Sequence, residues 1–165
     1  MLNKYFIKKG DIMENIPKKL FERDIDSINC GLSDIYLIEE DQIEKGQAGF
    51  RYNGLTGEKI KEWIGDDFYV IGIDSCCGDP IIADFSKEEL PIYYMFHDDW
   101  DTLQLISDNF EQFIKILHMI DDTDISDESQ KDDLISEIEE IVPEEGLDYW
   151  QALIQTGYEF LNDID

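Results

Sequence analysis

The stretch FYVIGIDSCCGDPIIADF, residues 68–85, constrains the fold more than any other part of the chain. Two apolar runs, residues 68–73 and 81–85, flank a segment made of Asp74, Ser75, Cys76, Cys77, Gly78, Asp79 and Pro80. β-Branched and aromatic side chains fill both runs, and such residues suit a pleated, packed surface. Gly and Pro punctuate the join, so the stretch predicts a hairpin with a long loop. Residues 68–73 are almost wholly apolar, which predicts a strand covered on both faces and central in its sheet. The loop then sets two carboxylates and two thiols at one end of that central pair.

Weaker strand signals surround the hairpin. Residues 35–38 are a short apolar run flanked by acids and predict an edge strand. Residues 46–52, GQAGFRY, predict another, with Gly49 permitting close approach of a neighbour. Asn53-Gly54 and Thr56-Gly57 mark turns, and Trp63 is an expected core anchor. Residues 92–96, IYYMF, predict a further strand that ends at His97, Asp98, Asp99 and Trp100. Residues 1–34 carry no firm pattern beyond a short amphipathic turn of Leu20, Phe21 and Ile25 after Pro17.

From Asp108 the apolar spacing becomes helical. Asp108 and Glu111 predict a capping box, and Phe110, Phe113, Ile114, Leu117 and Ile120 fall on one helical face. The acidic run 121–133 predicts a solvated linker. Ser126 is the expected cap of a second helix whose face holds Leu134, Ile138 and Ile141, and Pro143 stops it. A third helix carries Leu147, Trp150, Leu153, Ile154, Gly157, Tyr158 and Leu161 at amphipathic spacing. Strands first and helices after give an α+β chain: a single, mostly antiparallel sheet packed against helices, with a helical C-terminal region. At 165 residues, one domain over 1–165 is expected.

Charge narrows the function. The chain has 40 acidic and 13 basic residues, a formal net charge of −27. Nucleic-acid affinity rests on Lys and Arg neutralising phosphates, so direct nucleic-acid binding is excluded as an expectation. Anionic membranes would be repelled as well. A basic protein partner would be attracted and steered, although acidity also serves solubility alone. Three cysteines without a CxxC pair point to a reducing compartment and to no zinc ribbon. The N-terminus, residues 1–13, lacks an apolar signal core, and no stretch reaches membrane-spanning length. The expected location is the cytoplasm.

Candidate chemistry gathers at the strand ends. His97 with Cys76 or Cys77 could form a nucleophile and base, and Asp74 and Asp79 could join them in a mixed metal site. The ordinary reading outweighs both: Cys76 and Cys77 as small buried hydrophobes, and Asp79 before Pro80 as a turn residue. His118, on the first helix, reads as structural or surface. There is no calcium loop and no glycine-rich phosphate loop. No cofactor and no metal are expected, and an enzyme is the minority reading. Loops held by a rigid sheet are favoured binding places. The candidate partner-binding residues are Asp74, Cys76, Asp79, Asp84, His97, Asp98, Asp99 and Trp100. An exposed Trp100 would suit an interface, whereas a core Trp100 would not.

The pieces GQAGFRYNG, KEWIGDDFYVIGIDSCCGDPIIADF, LPIYYMFHDDW and DNFEQFIKIL occur in an order that resembles the SUKH superfamily, the Smi/Knr type. The likeness lies in Trp63, Ile71-Gly72-Ile73-Asp74, Gly78-Asp79-Pro80-Ile81 with Asp84, Ile92-Tyr93 with His97, and residues 107–113. It covers roughly residues 46–120. The resemblance implies a single curved sheet on helices; the SUKH-like core is expected over about 35–120, followed by a helical extension over about 126–162. It also implies a bacterial immunity protein that binds and neutralises a cognate polymorphic or contact-dependent toxin domain. Many such toxins are nucleases with basic surfaces, which an acidic inhibitor would occlude. The alternative within the same superfamily is an intracellular regulatory or scaffold module that binds a housekeeping protein. Residues 1–45 lack the usual opening pattern, and the helices after residue 126 lie outside it. The resemblance carries no catalytic residues.

Overall fold

A computed structural model describes residues 16–163. The reading of residues 1–13 therefore lies outside the described residues. Six strands form one open sheet in the order of the chain: β1 (Ser27–Cys30), β2 (Ser33–Leu37), β3 (Phe68–Asp74), β4 (Asp79–Asp84), β5 (Ile92–Phe96) and β6 (Asp99–Ser107). Each strand pairs antiparallel with the next. A short helix α1 (Ile43–Gly46) lies in the β2–β3 connection. Three longer helices follow the sheet: α2 (Phe110–Asp121), α3 (Glu128–Glu139) and α4 (Glu144–Asn162). The chain is α+β.

The apolar runs explain the centre of the sheet. Every residue of β4 is buried, and β3 beside it buries Val70 and Ile71 on opposite faces. Alternation then sorts the core into two layers. On one face Ile35, Ile71, Ile81, Ile92 and Ile106 pack with Phe113, Leu117, Trp150 and Ile154 of the helices. On the other, Val70, Ile82 and Met95 pack with Trp63 from the β2–β3 connection, which confirms Trp63 as a core anchor. Full burial of such side chains contributes about 1.5–3 kcal/mol each.

Several expectations need correction. Residues 35–37 do lie in strand β2, with Ile38 just beyond its end, but β1 pairs outside it, so β2 is not the edge. Residues 46–52 form no strand: α1 ends at Gly46, and turns follow with only isolated bridges at Ala48 and Tyr52. The cause is Gln47, whose buried amide donates to the Ile43 and Val70 carbonyls at 2.9 and 2.8 Å and accepts from the Val70 N–H at 3.0 Å. One side chain thus takes the place of a paired strand beside β3. Strand β5 does end at Phe96, but only His97 and Asp98 form the turn: Asp99 and Trp100 already lie in β6.

The helix caps fall one residue later than expected. Asn109 caps α2 by accepting from Gln112 N–H at 2.8 Å, and Gln112 Oε1 reaches back to Asp108 N–H at 2.9 Å. Asp127 caps α3 by accepting from Ser129 and Gln130 N–H. Helix α3 therefore begins inside the acidic run expected to be linker. Its Leu134 and Ile138 are buried, while Ile141 packs beyond its end. On α4 the predicted face holds for Trp150, Leu153, Ile154 and Gly157, but Leu161 is exposed.

Because the strands run as a meander, the three tight turns β1–β2, β3–β4 and β5–β6 share one end of the sheet. The longer connections, 38–67 and 85–91, share the other.

Candidate functional site

The turn end of the sheet meets α4 at a cleft of about 190 Å³. Each hairpin contributes to it: Leu32 and Ser33 from the first, Cys76 and Cys77 from the second, and Phe96 from the third. Tyr149, Ala152, Leu153 and Thr156 of α4 form the facing wall. The i, i+3, i+4, i+7 spacing on a helix places these four side by side.

Two carboxylates lie at the base of the cleft. Asp74 and Asp79 are register partners at the ends of β3 and β4, 7% and 3% exposed. Asp74 Oδ1 accepts from the Ser33 hydroxyl and from the Cys76 N–H at 3.1 Å, and Tyr149 OH donates to Oδ2 at 3.4 Å. Asp79 Oδ1 accepts from the His97 N–H at 2.8 Å and meets His97 Nδ1 at 2.7 Å. Tyr94 OH donates to Asp79 Oδ2. The Tyr94 and Tyr149 rings stand side by side, 4.5 Å between centroids.

This arrangement holds two carboxylates with neutral donors. Among the described residues no Lys or Arg forms an ion pair with either one, and only His97 can bring positive charge. The phenols respond to that field. Burial, then the hydrogen bond and charge of Asp79, push Tyr94 well above the usual tyrosine range. Burial and the charge of Asp74 do the same to Tyr149. Both phenols therefore stay protonated donors at neutral pH. Chemically the cleft offers carboxylate acceptors below aromatic and aliphatic walls, a surface suited to a cation with an apolar stem.

The structure brings together five of the eight residues nominated from the sequence and separates three. Asp74, Cys76, Asp79 and His97 meet at the cleft, and Asp98 follows in the adjoining turn, exposed. Asp99 opens β6, exposed but pointing along that strand's own turn, where its carboxylate accepts from Asp101 N–H. Asp84 lies at the opposite end of β4, paired with Phe68, and is buried while accepting from the Ser86 N–H and hydroxyl. Trp100 is half-buried on the far face of the sheet, edge-on to Trp63 at 5.7 Å. Trp100 therefore packs against the smaller core while staying partly exposed.

Cys76 and Cys77 are exposed, which corrects the expectation of buried thiols: the turn carries them beyond the last strand pair. The described hydrogen bonds include none between His97 and either thiol, and the His97 ring is taken up by Asp79. The Cys76 thiol beside it, followed by nearby carboxylates, pushes Cys77 above the usual thiol range. Among the described residues, no group of three or more His, Cys, Asp or Glu is placed to hold a metal ion. His118 pairs at the surface with Asp24, Nε2 to Oδ1 2.8 Å.

Ser33, Tyr94, Phe96 and the four α4 residues were not nominated from the sequence. Tyr149 sits at position i−1 from Trp150 on the buried side of α4 and looks like any core aromatic. Only its phenol, reaching Asp74 from 75 residues away, marks it as part of a site.

Beyond the cleft, α4 bonds α3 through Gln155 and Lys131, 3.0 Å. Residues 121–148 hold thirteen acidic side chains, every one exposed, and a single basic one, Lys131. Lys131 is itself buried, and its ammonium is taken by Asp132 at 3.0 Å, by Gln155, and by the Tyr158 ring at 4.5 Å. No described helix is long and apolar enough to cross a membrane. No family model matches the chain, and neither a curated protein nor a solved structure is similar to it at a significant level.

Proposed function

We propose that the protein is an immunity protein of the SUKH type, which binds a basic toxin domain stoichiometrically and neutralises it in the cytoplasm. The observation that carries this reading is the acidic surface over residues 121–148: thirteen exposed carboxylates whose only local cation is buried and already paired. Like charges crowded on helix surfaces cost stability through repulsion. A basic partner relieves that cost and is drawn in by the same field. Carboxylates standing where substrate phosphates would lie make the inhibition one of occlusion, and the partner's chemistry would be that of a nuclease. The turn end of the sheet, with exposed Leu32 and Phe96 beside the cleft, supplies apolar contact next to the charge.

The test is co-expression with toxin domains encoded beside this gene. The reading expects growth to be rescued and a complex to co-elute in size-exclusion chromatography, weakening as salt rises. A triple charge reversal, Glu137→Lys, Glu140→Lys and Glu144→Lys, should abolish rescue while the protein stays folded. A neutralising partner insensitive to both salt and charge reversal would overturn occlusion by acidic surface. Capture of a housekeeping protein in place of any toxin would favour the scaffold reading.

A further inference from the structure

We propose that the turn-end cleft receives an arginine side chain of the partner, the guanidinium seated against Asp79 and Asp74. This rests on the reading of the protein as a binder of a basic protein and names the contact that would make binding specific.

The argument begins with an imbalance of charge. Asp74 and Asp79 are more than nine-tenths buried, and among the described residues neither meets a Lys or Arg. Buried carboxylates are ordinarily paired with a cation or held by several donors, because removal from water is costly. Their remaining hydrogen-bonding capacity is on the Oδ2 atoms. Each Oδ1 accepts two bonds, whereas Oδ2 of Asp74 accepts only Tyr149 at 3.4 Å and Oδ2 of Asp79 only Tyr94. A carboxylate oxygen takes two bonds, so both Oδ2 atoms keep a free site where the two phenols line the cleft.

The walls suit the rest of the side chain. A long cationic residue buries its methylene stem on apolar surface, here offered by Leu153 and Ala152. Aromatic faces attract the guanidinium, and Tyr94, Tyr149 and Phe96 stand together at the site. Arginine fits better than lysine because its planar fork presents parallel donors to more than one oxygen. Asp98, exposed in the adjoining turn, would steer it inward.

The experiment titrates isotopically labelled full-length protein with the capped peptide acetyl-Gly-Arg-Gly-amide, followed by NMR. Its neutral analogue carries citrulline in place of arginine. The inference expects saturable shifts at the amides of Cys76, His97 and the α4 wall, with citrulline binding at least about tenfold weaker, the loss typical of a charge-assisted hydrogen bond. Asp79→Asn should weaken the arginine peptide similarly. Since Asp79 is buried and its loss can disturb the fold, Ala152→Trp gives a second arm: it fills the cleft from an exposed position and leaves both carboxylates bonded. Absence of saturation, equal binding of citrulline, or unchanged binding to Ala152→Trp would each overturn the inference. Toxin bound by Ala152→Trp as tightly as by wild type would remove the arginine contact and leave the immunity reading standing. Saturation by the peptide with no toxin partner found would do the reverse.

Discussion

Gly157 of α4 lies so close to Gly31 in the β1–β2 turn that a Cβ on Gly31 would stand 2.7 Å from the Gly157 carbonyl oxygen. The contact is backbone against backbone. A Cβ on Gly157 would in turn press on the Cys30 carbonyl carbon and on Ile125 Cδ1, both at 3.0 Å. This is how α4 comes near enough to the first hairpin for Leu153 and Thr156 to face Leu32 across the cleft. Gly157→Ala is expected to destabilise by about 1–3 kcal/mol, the usual cost of forcing an extra methyl into packed backbone. Equilibrium urea unfolding reads it as a lower midpoint with an unchanged slope. A midpoint equal to wild type would show that α4 can step back at no cost.

Gln47 should be the most sensitive polar residue outside the cleft. It is wholly buried, and its amide satisfies both backbone groups of Val70 beside the irregular register of β3 and β4. Gln47→Leu keeps the bulk and orphans the Val70 N–H and C=O. Each unsatisfied buried group costs about 1–3 kcal/mol, so a loss of about 2–6 kcal/mol is expected. Hydrogen exchange at the Val70 amide should accelerate far more than at Ile82 on the neighbouring strand. Equal protection at the two amides would contradict this account.

How much of this was legible in the sequence follows from what made each element. Strands β3, β4 and β5 and the face of α4 announce themselves because apolar residues at fixed spacing form them. Strand β1 has four residues, of which only Ile28 and Cys30 face inward, too few to establish a period. Strand β6 opens with exposed Asp99 and has no fully buried position before Ile106, so no alternating apolar pattern marks it as a strand. Residues 46–52 misled because a buried polar side chain, Gln47, performs the pairing, and hydropathy does not register that. At the site, the turn and its carboxylates were visible. Their burial was not, because the donors Ser33, Tyr94 and Tyr149 lie 41, 15 and 75 residues away along the chain.

The three thiols should separate by reactivity. Cys76 and Cys77 are exposed, while Cys30 is fully buried and its thiol is pushed up to about 12 by burial and then by the charges of Asp74 and Asp34. Since the thiolate is the reactive form, a thiol-specific disulfide reagent should modify two cysteines in the native protein and the third only on unfolding. With Cys77 raised by its neighbour, modification of Cys77 in the native protein should be slow at neutral pH and speed up towards alkaline pH. Rapid alkylation of one thiol at neutral pH would instead revive the cysteine-enzyme reading.

Stability should fall on the alkaline side. Tyr94 and Tyr149 have folded-state values above the ordinary 10.0, so the native state binds protons that the unfolded chain releases. Stability from them is therefore complete below pH about 10, the unfolded tyrosine value, and is lost as pH rises beyond it. Cys30 acts with the same sign from 9.0, its ordinary value, up to about 12. Melting temperature against pH should drop above this onset, and the tyrosinate absorbance of both residues should appear only with unfolding. Tyr149→Phe should shallow that drop, while also removing one bond to Asp74. Tyrosinate absorbance from all tyrosines at an ordinary pH in the folded protein would refute the buried-donor arrangement.

Salt should stabilise this protein more than it does one of balanced charge. Repulsion among the thirteen exposed acids of residues 121–148 acts across α3 and its flanks, with no free cation in the segment to offset it. Going from about 0.01 M to about 1 M salt shortens the Debye length from about 30 Å to about 3 Å, which screens nearly all of those pairs. Melting temperature should therefore rise with sodium chloride. Glu137→Lys should raise the unfolding free energy at low salt by about a few tenths of a kcal/mol, the scale of one helix-surface charge pair. That gain should vanish at high salt, since it is electrostatic in origin. If the substitution gave no gain at low salt, the acids of α3 would not be repelling one another enough to matter. The charge-relief argument for a basic partner would then lose its energetic basis, leaving steering alone to favour one.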